Sequence, residues 1–387
     1  MKKIIISLII IFMASGCWNY KELNDYAIAT GMAIDYVDGK YMVSFLILNG
    51  NKLEKKSSDS QYHSVLYSGS GVTIYEAIKN IDLILPKQLY IGHLNSLVIS
   101  DSVAKIGLYD VVEYLLEDSQ LKKDFYVVLA KESRASDILS MTTPITDNSL
   151  ESISNNIYSS NKTQGNIISK TYNDIIYDLV NIGIDTSISS YIIVGNKEEG
   201  ANIDNLESVE PKSYIKLDDL GIFKGDKLIG WANKKLSSGI NIINNNVNEL
   251  YINIPCNEGY IVVNTYNLKT IRDISKNYIK INTIGDASIK EVTCDIDYND
   301  NKNINELKSK INKEIKDIIY EGYMFARNYE SDVFGFGLDY YRNNSTDYKK
   351  INFNDLYLSI EPEINVNVKI DNNGNIKKNI ERIANEN

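Results

Sequence analysis

The side chains with the most chemical potential in this 387-residue chain are three cysteines, Cys17, Cys256 and Cys294, and two histidines, His63 and His93. A histidine serves as a metal ligand or as an acid–base group near neutral pH. Neither histidine has a partner at HxxH or HxxxH spacing. His63 falls in an expected strand, and His93 precedes another, where it is expected to hold backbone groups at the strand entry. Asp332-Val333-Phe334-Gly335-Phe336-Gly337 has some glycines of a phosphate-cradling turn. It lacks the full glycine pattern, a Lys-Ser/Thr pair and a preceding strand. A tight turn that docks Phe334 and Phe336 into the core is expected instead. Gly31 stands near Asp25 and Asp35, but the spacing matches no EF-hand loop. Those carboxylates are expected to serve caps and strand ends. Gly69-Ser70-Gly71 is too short for the hydrolase G-x-S-x-G signature. No nucleophile stands with a credible base, which argues against an enzyme. No catalytic, cofactor-binding or metal-ligating residue is therefore assigned.

Cys17 is different, because its surroundings specify a modification. Lys2-Lys3 forms a short positive region, residues 4–13 are apolar apart from Ser7, and Ala14-Ser15-Gly16 are small. This is the layout of a signal peptide. Such a stretch is too short to span a bilayer, which needs about twenty apolar residues. Small residues before a cysteine resemble a bacterial lipobox, with cleavage before Cys17 and a diacylglyceryl group on its thiol. Ala14 stands where leucine is usual. An ordinary secretory signal with an incidental cysteine is the competing reading. Cys256 and Cys294 then remain, either paired outside the cell or as two buried free thiols; their spacing decides neither.

The formal net charge is −10, and loss of residues 1–16 removes two further positive charges. An acidic body argues against nucleic-acid binding, where clustered positive charge supplies most of the affinity. It also argues against adsorption to an anionic membrane by charge alone. A covalent lipid would supply the missing attachment. The 28 tyrosines suit an interaction protein without locating a surface.

The positioning elements follow from pattern. Residues 17–25 read as a tether. Two apolar-rich runs over 26–48 flank Asp38-Gly39, a hairpin dipeptide. Residues 62–68 read as a third strand. Thr73 to Glu76 reads as a capping box before a helix with Ile74, Ala77, Ile78 and Ile81 inward. A buried strand at 94–100, a helix capped by Asp101 running to about 117, and a strand at 125–130 follow. Helices at 134–141, 149–159 and 171–182, the last capped by Thr171, lead to a closing strand at 191–194. Residues 26–195 thus form an N-terminal α/β domain, and 196–212 a polar linker. The second region has turns at Gly225-Asp226 and at Asn257-Glu258-Gly259. Strands at 278–284 and 287–296 follow, then a long amphipathic helix near 303–328 with Ile304, Leu307, Ile311, Ile315 and Ile318 on one stripe. The last strand spans 356–370, and 372–387 is a polar tail. The fold class is α+β or mixed α/β, multi-domain, with two to three mixed sheet-and-helix domains.

These residues resemble the Ger(x)C family of spore germination lipoproteins. The likeness is carried by Gly16-Cys17-Trp18-Asn19, Glu22-Leu23-Asn24-Asp25, Gly31 and Ala33-Ile34-Asp35. It continues through Gly71-Val72-Thr73 with Glu76-Ala77, His93 before Val98-Ile99, Gly221-Ile222-Phe223-Lys224, Lys227-Leu228-Ile229-Gly230 and Asp332 to Gly337. Tyr20, Lys21, Glu117 and Lys122 depart from arginines common in the family. The resemblance implies three mixed α/β domains, which divides the second region into a small middle domain at 213–265 and a C-terminal α/β domain at 266–371. It implies a lipid-anchored germinant receptor subunit on the outer face of the spore inner membrane. The implied partners are a membrane protein with a soluble domain and a multi-span, transporter-like protein. A solute-binding lipoprotein that captures a nutrient directly, and a lipid-anchored envelope hydrolase, are the competing readings.

Overall fold

The computed structural model describes residues 25–48, 64–142, 149–202, 205, 209–294 and 300–371. Cys17, His63, the leader at 1–16, residues 17–24 of the tether and the tail at 372–387 lie outside the described residues.

The chain opens on a hairpin of β1 (Tyr26–Val37) and β2 (Lys40–Leu48). Asp38 and Gly39 take positive φ of 51 and 79°, as a two-residue type I′ turn requires. β3 (Ser64–Gly71) pairs with β2. α1 (Ile74–Asp82) then starts at Thr73, whose Oγ1 accepts from Glu76 N at 3.1 Å. The Glu76 carboxylate reaches back to Val72 N at 2.7 Å. β4 (Gln88–Tyr90), β5 (Ser96–Ser100), α2 (Asp101–Ile106), α3 (Tyr109–Glu117) and β6 (Tyr126–Ala130) follow. Next come α4 (Ala135–Ser140), α5 (Ser149–Thr163), β7 (Lys170–Thr171), α6 (Tyr172–Val180), β8 (Ser187–Val194) and α7 (Lys197–Gly200). The chain continues with β9 (Tyr214–Lys224), β10 (Lys227–Ala232), α8 (Lys234–Ile243), β11 (Glu249–Cys256), β12 (Gly259–Ile274) and β13 (Ile279–Val292). It closes with α9 (Asn301–Asn328), α10 (Phe336–Asn343), α11 (Ser345–Tyr348), α12 (Phe353–Ser359) and β14 (Pro362–Ile370).

The first sheet runs β10-β9-β8-β6-β5-β1-β2-β3, with β4 on β1 and β7 on β6. Its centre, β1, β5, β6 and β8, is parallel. Parallel strands need both faces covered, and β5 is buried along its whole length. α1, α2, α3 and α6 cover one face around Phe45, Leu97 and Phe125. α4 and α5 cover the other around Val98, Val128 and Ile157. The second sheet runs β11-β12-β13-β14. α8 and α9 lie on it, with Leu307, Ile311, Ile315 and Ile318 of α9 buried as the stripe requires.

Several elements differ from their sequence expectation for physical reasons. The helix expected at 101–117 is two helices, because Gly107 turns to φ 142° and Leu108 N donates to Asp226 O at 2.9 Å in the β9–β10 turn. Its cap is Ser100, whose Oγ accepts from Val103 N, while Asp101 pairs with Lys105 at 2.7 Å. The two strands expected over 278–296 are one, β13. Residues 356–359 are helical, and the last strand starts at Pro362. Segment 213–265, grouped above as one small unit, is shared between the sheets: β9 pairs with β8, and β11 and β12 pair in the second sheet. A partly buried ion cluster helps hold β9, with Lys131 Nζ 2.8 Å from Asp218 and 2.7 Å from Asp219. The described residues of the polar 196–212 segment include a buried tie. Buried Asn205 accepts from Lys212 N at 3.0 Å and donates to Ser213 O at 3.0 Å.

Cys256, ending β11, and Cys294, just past β13, form a disulfide with Cα atoms 6.3 Å apart. The bond fits an oxidising compartment. It staples two strands of the second sheet across the start of β12. Cross-linking residues 38 apart in sequence removes freedom from the unfolded chain, for roughly 2–4 kcal/mol. Reduction, or Cys256→Ser, is therefore expected to lower the unfolding midpoint by several degrees. An unchanged midpoint in thermal melts with and without reductant would show that the staple contributes nothing.

Candidate functional site

The two sheets meet where α9 ends. Glu330 turns through a positive φ of 55°, and the chain then enters Ser331-Asp332-Val333-Phe334-Gly335-Phe336-Gly337. Ser331 Oγ donates to Phe223 O of β9 at 2.6 Å. Asp332 and Asp185, which lies just before β8, are joined reciprocally. Asp332 N donates to Asp185 Oδ2 at 2.8 Å, and Asp185 N donates to Asp332 O at 2.9 Å. The second Asp185 oxygen accepts from Gly225 N of the β9–β10 turn at 2.7 Å. One aspartate thus binds two loops of the first sheet to the loop of the second.

The Asp332 carboxylate points the other way, into its own turn. It accepts from Phe336 N at 3.1 Å and from Gly337 N at 2.7 Å. Those donors are the free N–H groups of the α10 start. Gly335 reaches this geometry through left-handed backbone at φ 71°, which favours glycine. Phe334 and Phe336 are buried, as the docked-turn reading expects. They pack with Tyr323 and Tyr357, the Tyr323 and Phe334 rings lying 5.7 Å apart. Arg272 of β12 clamps the turn by donating to Phe334 O and to Asn244 Oδ1, and it pairs with Asp339 at 3.1 Å.

The backbones touch at one further point. Leu338 N donates to Gly183 O at 2.8 Å. A Cβ on Gly337 would lie 2.8 Å from Gly183 Cα, so the contact excludes side chains.

Burial pushes the Asp332 carboxyl up to about 7. The Phe336 and Gly337 N–H groups oppose that shift, the Asp185 charge adds to it, and Arg272 offsets it. Lys224 Nζ lies 3.6 Å from Asp185 and donates to Glu330 O at the solvent edge. Two clefts flank the junction. One, of about 360 Å³, is lined by Asp185, Lys224, Asn352 and Phe353 among others. The other, of about 380 Å³, carries Lys170, Asp174, Tyr177, Asn244 and Arg272. In the second, Lys170 already pairs with Asp178, which also accepts from Thr186 Oγ1 at 2.8 Å. This arrangement sets the relative position of two bodies and presents mixed charge beside them; it aligns no nucleophile with a base.

The residues singled out from sequence are scattered. His93 is exposed, and its ring packs edge-on against Tyr90 at 5.6 Å rather than holding the backbone of the strand entry. Asp35 is buried and accepts from Ala135 N at 2.7 Å and Ser136 N at 3.0 Å, so it caps a helix 100 residues away. Burial is the main cause of its raised carboxyl pKa. Among the described residues no group of three or more His, Cys, Asp or Glu is placed to hold a metal. Asp185, Lys170 and Asp178 escaped the sequence reading, and Gly183 was expected only as the stop of the 171–182 helix. The one local signal is Gly183-Ile184-Asp185, a glycine and a carboxylate just ahead of a buried strand.

Comparison with known proteins covers both halves. A family model described as the spore germination protein N-terminal domain matches residues 19–194. A second, described as spore germination B3/GerAC like, C-terminal, matches residues 218–374. Spore germination protein KC of Bacillus subtilis (strain 168) is 24% identical over 381 residues, covering 94% of this chain and 93% of that protein. The putative spore germination protein YfkR of the same organism is 26% identical over 232 residues, covering 59% and 56% respectively. Among solved structures, the GerBC protein superposes with a TM-score of 0.53 at 14% identity, covering 92% of this chain and all of the other. That likeness shows the fold.

Two outcomes test the junction. Because the folded Asp332 pKa is raised, the folded chain keeps a proton that the unfolded chain has released. Its contribution to stability is present in full below the ordinary carboxylate range and is lost as pH rises to about 7. Asp332→Asn removes that titration and leaves one N–H donor facing an amide nitrogen. The stability gap between wild type and variant should narrow from pH 4.5 to 7.5 in denaturant titrations; an equal gap at both counts against the assignment. Gly337→Ala should cost about 1–3 kcal/mol by overpacking, read in the same titration, and no loss would mean the backbones can separate freely.

Proposed function

The chain belongs to the Ger(x)C family of spore germination proteins, and from that premise we propose that it is the lipid-anchored, non-catalytic subunit of a germinant receptor. In this reading Cys17 carries the lipid, and the protein sits on the outer face of the spore inner membrane. It assembles there with a membrane protein bearing a soluble domain and with a multi-span, transporter-like protein. Its contribution to nutrient-triggered germination is positional: it holds receptor parts in register and carries out no bond chemistry. The observation that carries the reading is that two germination-family models match in order across residues 19–194 and 218–374. The Asp185–Asp332 junction joins those two matched regions directly, which suits a part that transmits position between partners.

The clefts beside the junction favour a second reading, direct capture of a small nutrient. The charged and amide groups of the Lys170–Arg272 cleft suit a compact polar solute. This reading requires germinants to raise the melting temperature of the isolated protein, and a flat response across amino acids, sugars and nucleosides removes it.

Deletion of the gene is expected to abolish the response of purified spores to a particular germinant set, followed as loss of optical density. Wild type should restore it and Cys17→Ala should not. Restoration by both would separate the receptor role from the lipid, and a normal response to every germinant after deletion would remove the receptor role.

A further inference from the structure

We propose that residues 83–87 form a membrane-contact loop that seats one end of the first sheet on the lipid surface; this rests on the reading that Cys17 carries the lipid. The loop leaves the end of α1 and leads into β4. Leu83 is 82% exposed and Ile84 56% exposed, consecutive aliphatic side chains held in water. Both follow Ile81, which is fully buried, so they are not part of the inward stripe of the helix. Pro86 and Lys87 beside them are exposed as well.

The position of the loop is what points to lipid. Gln88 pairs with Tyr26 in parallel register, and the Tyr26 and Tyr90 rings lie 5.4 Å apart. The loop therefore lies at the end of the sheet where the chain arrives from Cys17. Eight peptide steps separate Cys17 from Asp25, a reach of about 28 Å at most. An anchor on that leash holds this end of the protein, and no other end of β1, against the bilayer. The Asp38-Gly39 turn closes the opposite end of the twelve-residue strand β1, roughly 40 Å away.

The neighbouring loop supplies matching chemistry. Residues 117–124 share this end, since Tyr126 N donates to Asn95 O at 3.0 Å and Asn95 N donates to Thr30 O at 2.8 Å. Lys123 Nζ donates to Leu116 O at 3.2 Å, Leu116 is 45% exposed, and Lys122 is exposed. Asp82 is neutralised by Lys79 at 2.8 Å, whereas Glu117, Asp118 and Asp124 keep this rim from being basic overall. Aliphatic tips flanked by lysine stems match an interfacial contact, with the stems reaching to headgroup level. The acidic body would not adsorb by charge, so the contact works by apolar insertion once the lipid on Cys17 has brought the loop to the surface.

The test uses the full, lipidated chain in phosphatidylethanolamine–phosphatidylglycerol vesicles with brominated acyl chains. Leu83→Trp is compared with Lys40→Trp at the far hairpin and with wild type, which carries Trp18 and Trp231. At bilayer-interface depth, bromolipid should remove about half or more of the emission added by Leu83→Trp, and should leave that added by Lys40→Trp intact. Equal quenching of the two while the protein floats with the vesicles overturns the contact loop and keeps the anchor. In that case the loop is free to meet a protein partner. A wild-type chain that does not float with the vesicles overturns the anchor, and the contact loop with it.

Discussion

Asp332 and Asp185 exchange backbone and side-chain hydrogen bonds across the gap between two sheets, and the shape of the molecule depends on that exchange. Neither carboxylate forms its hydrogen bonds mainly with a cation. Each accepts from main-chain N–H groups at loop ends and a helix start, which are obligatory donors that must find a partner when buried. The cost of burying Asp332 close to a second, partly buried acid is set against the cost of leaving several donors unpaired. The balance for Asp332 falls near neutrality, at about 7, so the junction is sensitive to pH in that range.

The same junction explains why the second half begins inside the first. β9 and β10 extend the first sheet, and their turn supplies Gly225 N to Asp185 and Asp226 O to Leu108 N. From there α8 crosses to the second sheet and packs on α9. Residues 213–232 therefore couple the halves by strand pairing, in addition to the loop contacts at 331–338. A joint made of ladder hydrogen bonds, reciprocal carboxylate bonds and a glycine–glycine contact resists sliding more than a hydrophobic patch would, because each bond is directional. That property suits a subunit whose proposed work is to hold membrane partners in register.

Its two ends are equipped differently. One end of the first sheet, where the chain enters from Cys17, exposes Leu83 and Ile84. The disulfide between Cys256 and Cys294 closes the rim of the second sheet, as suits a small sheet in an oxidising environment. No helix among the described residues is long and apolar enough to cross a membrane.

Sequence alone determined what is local. The α9 stripe follows from 3.6-residue periodicity, the Asp38-Gly39 turn from two residues that tolerate positive φ, and the α1 cap from Thr73 and Glu76. The docking of Phe334 and Phe336 was legible for the same reason: it is written within a few consecutive residues. Tertiary structure decided what depends on partners far along the chain. Asp185 lies 147 residues from Asp332, and nothing beside either one marks the pairing. The break at Gly107 answers to Asp226, the capping role of Asp35 to α4, and the choice between free thiols and a bond at Cys256 and Cys294 to the strands that carry them together. Strand membership of β9 was illegible too, since alternation states that a segment is a strand and not which edge it joins. Short-range preferences act through backbone geometry that any segment carries with it, whereas these pairings exist only after the chain has closed long loops and buried the groups that must then find one another.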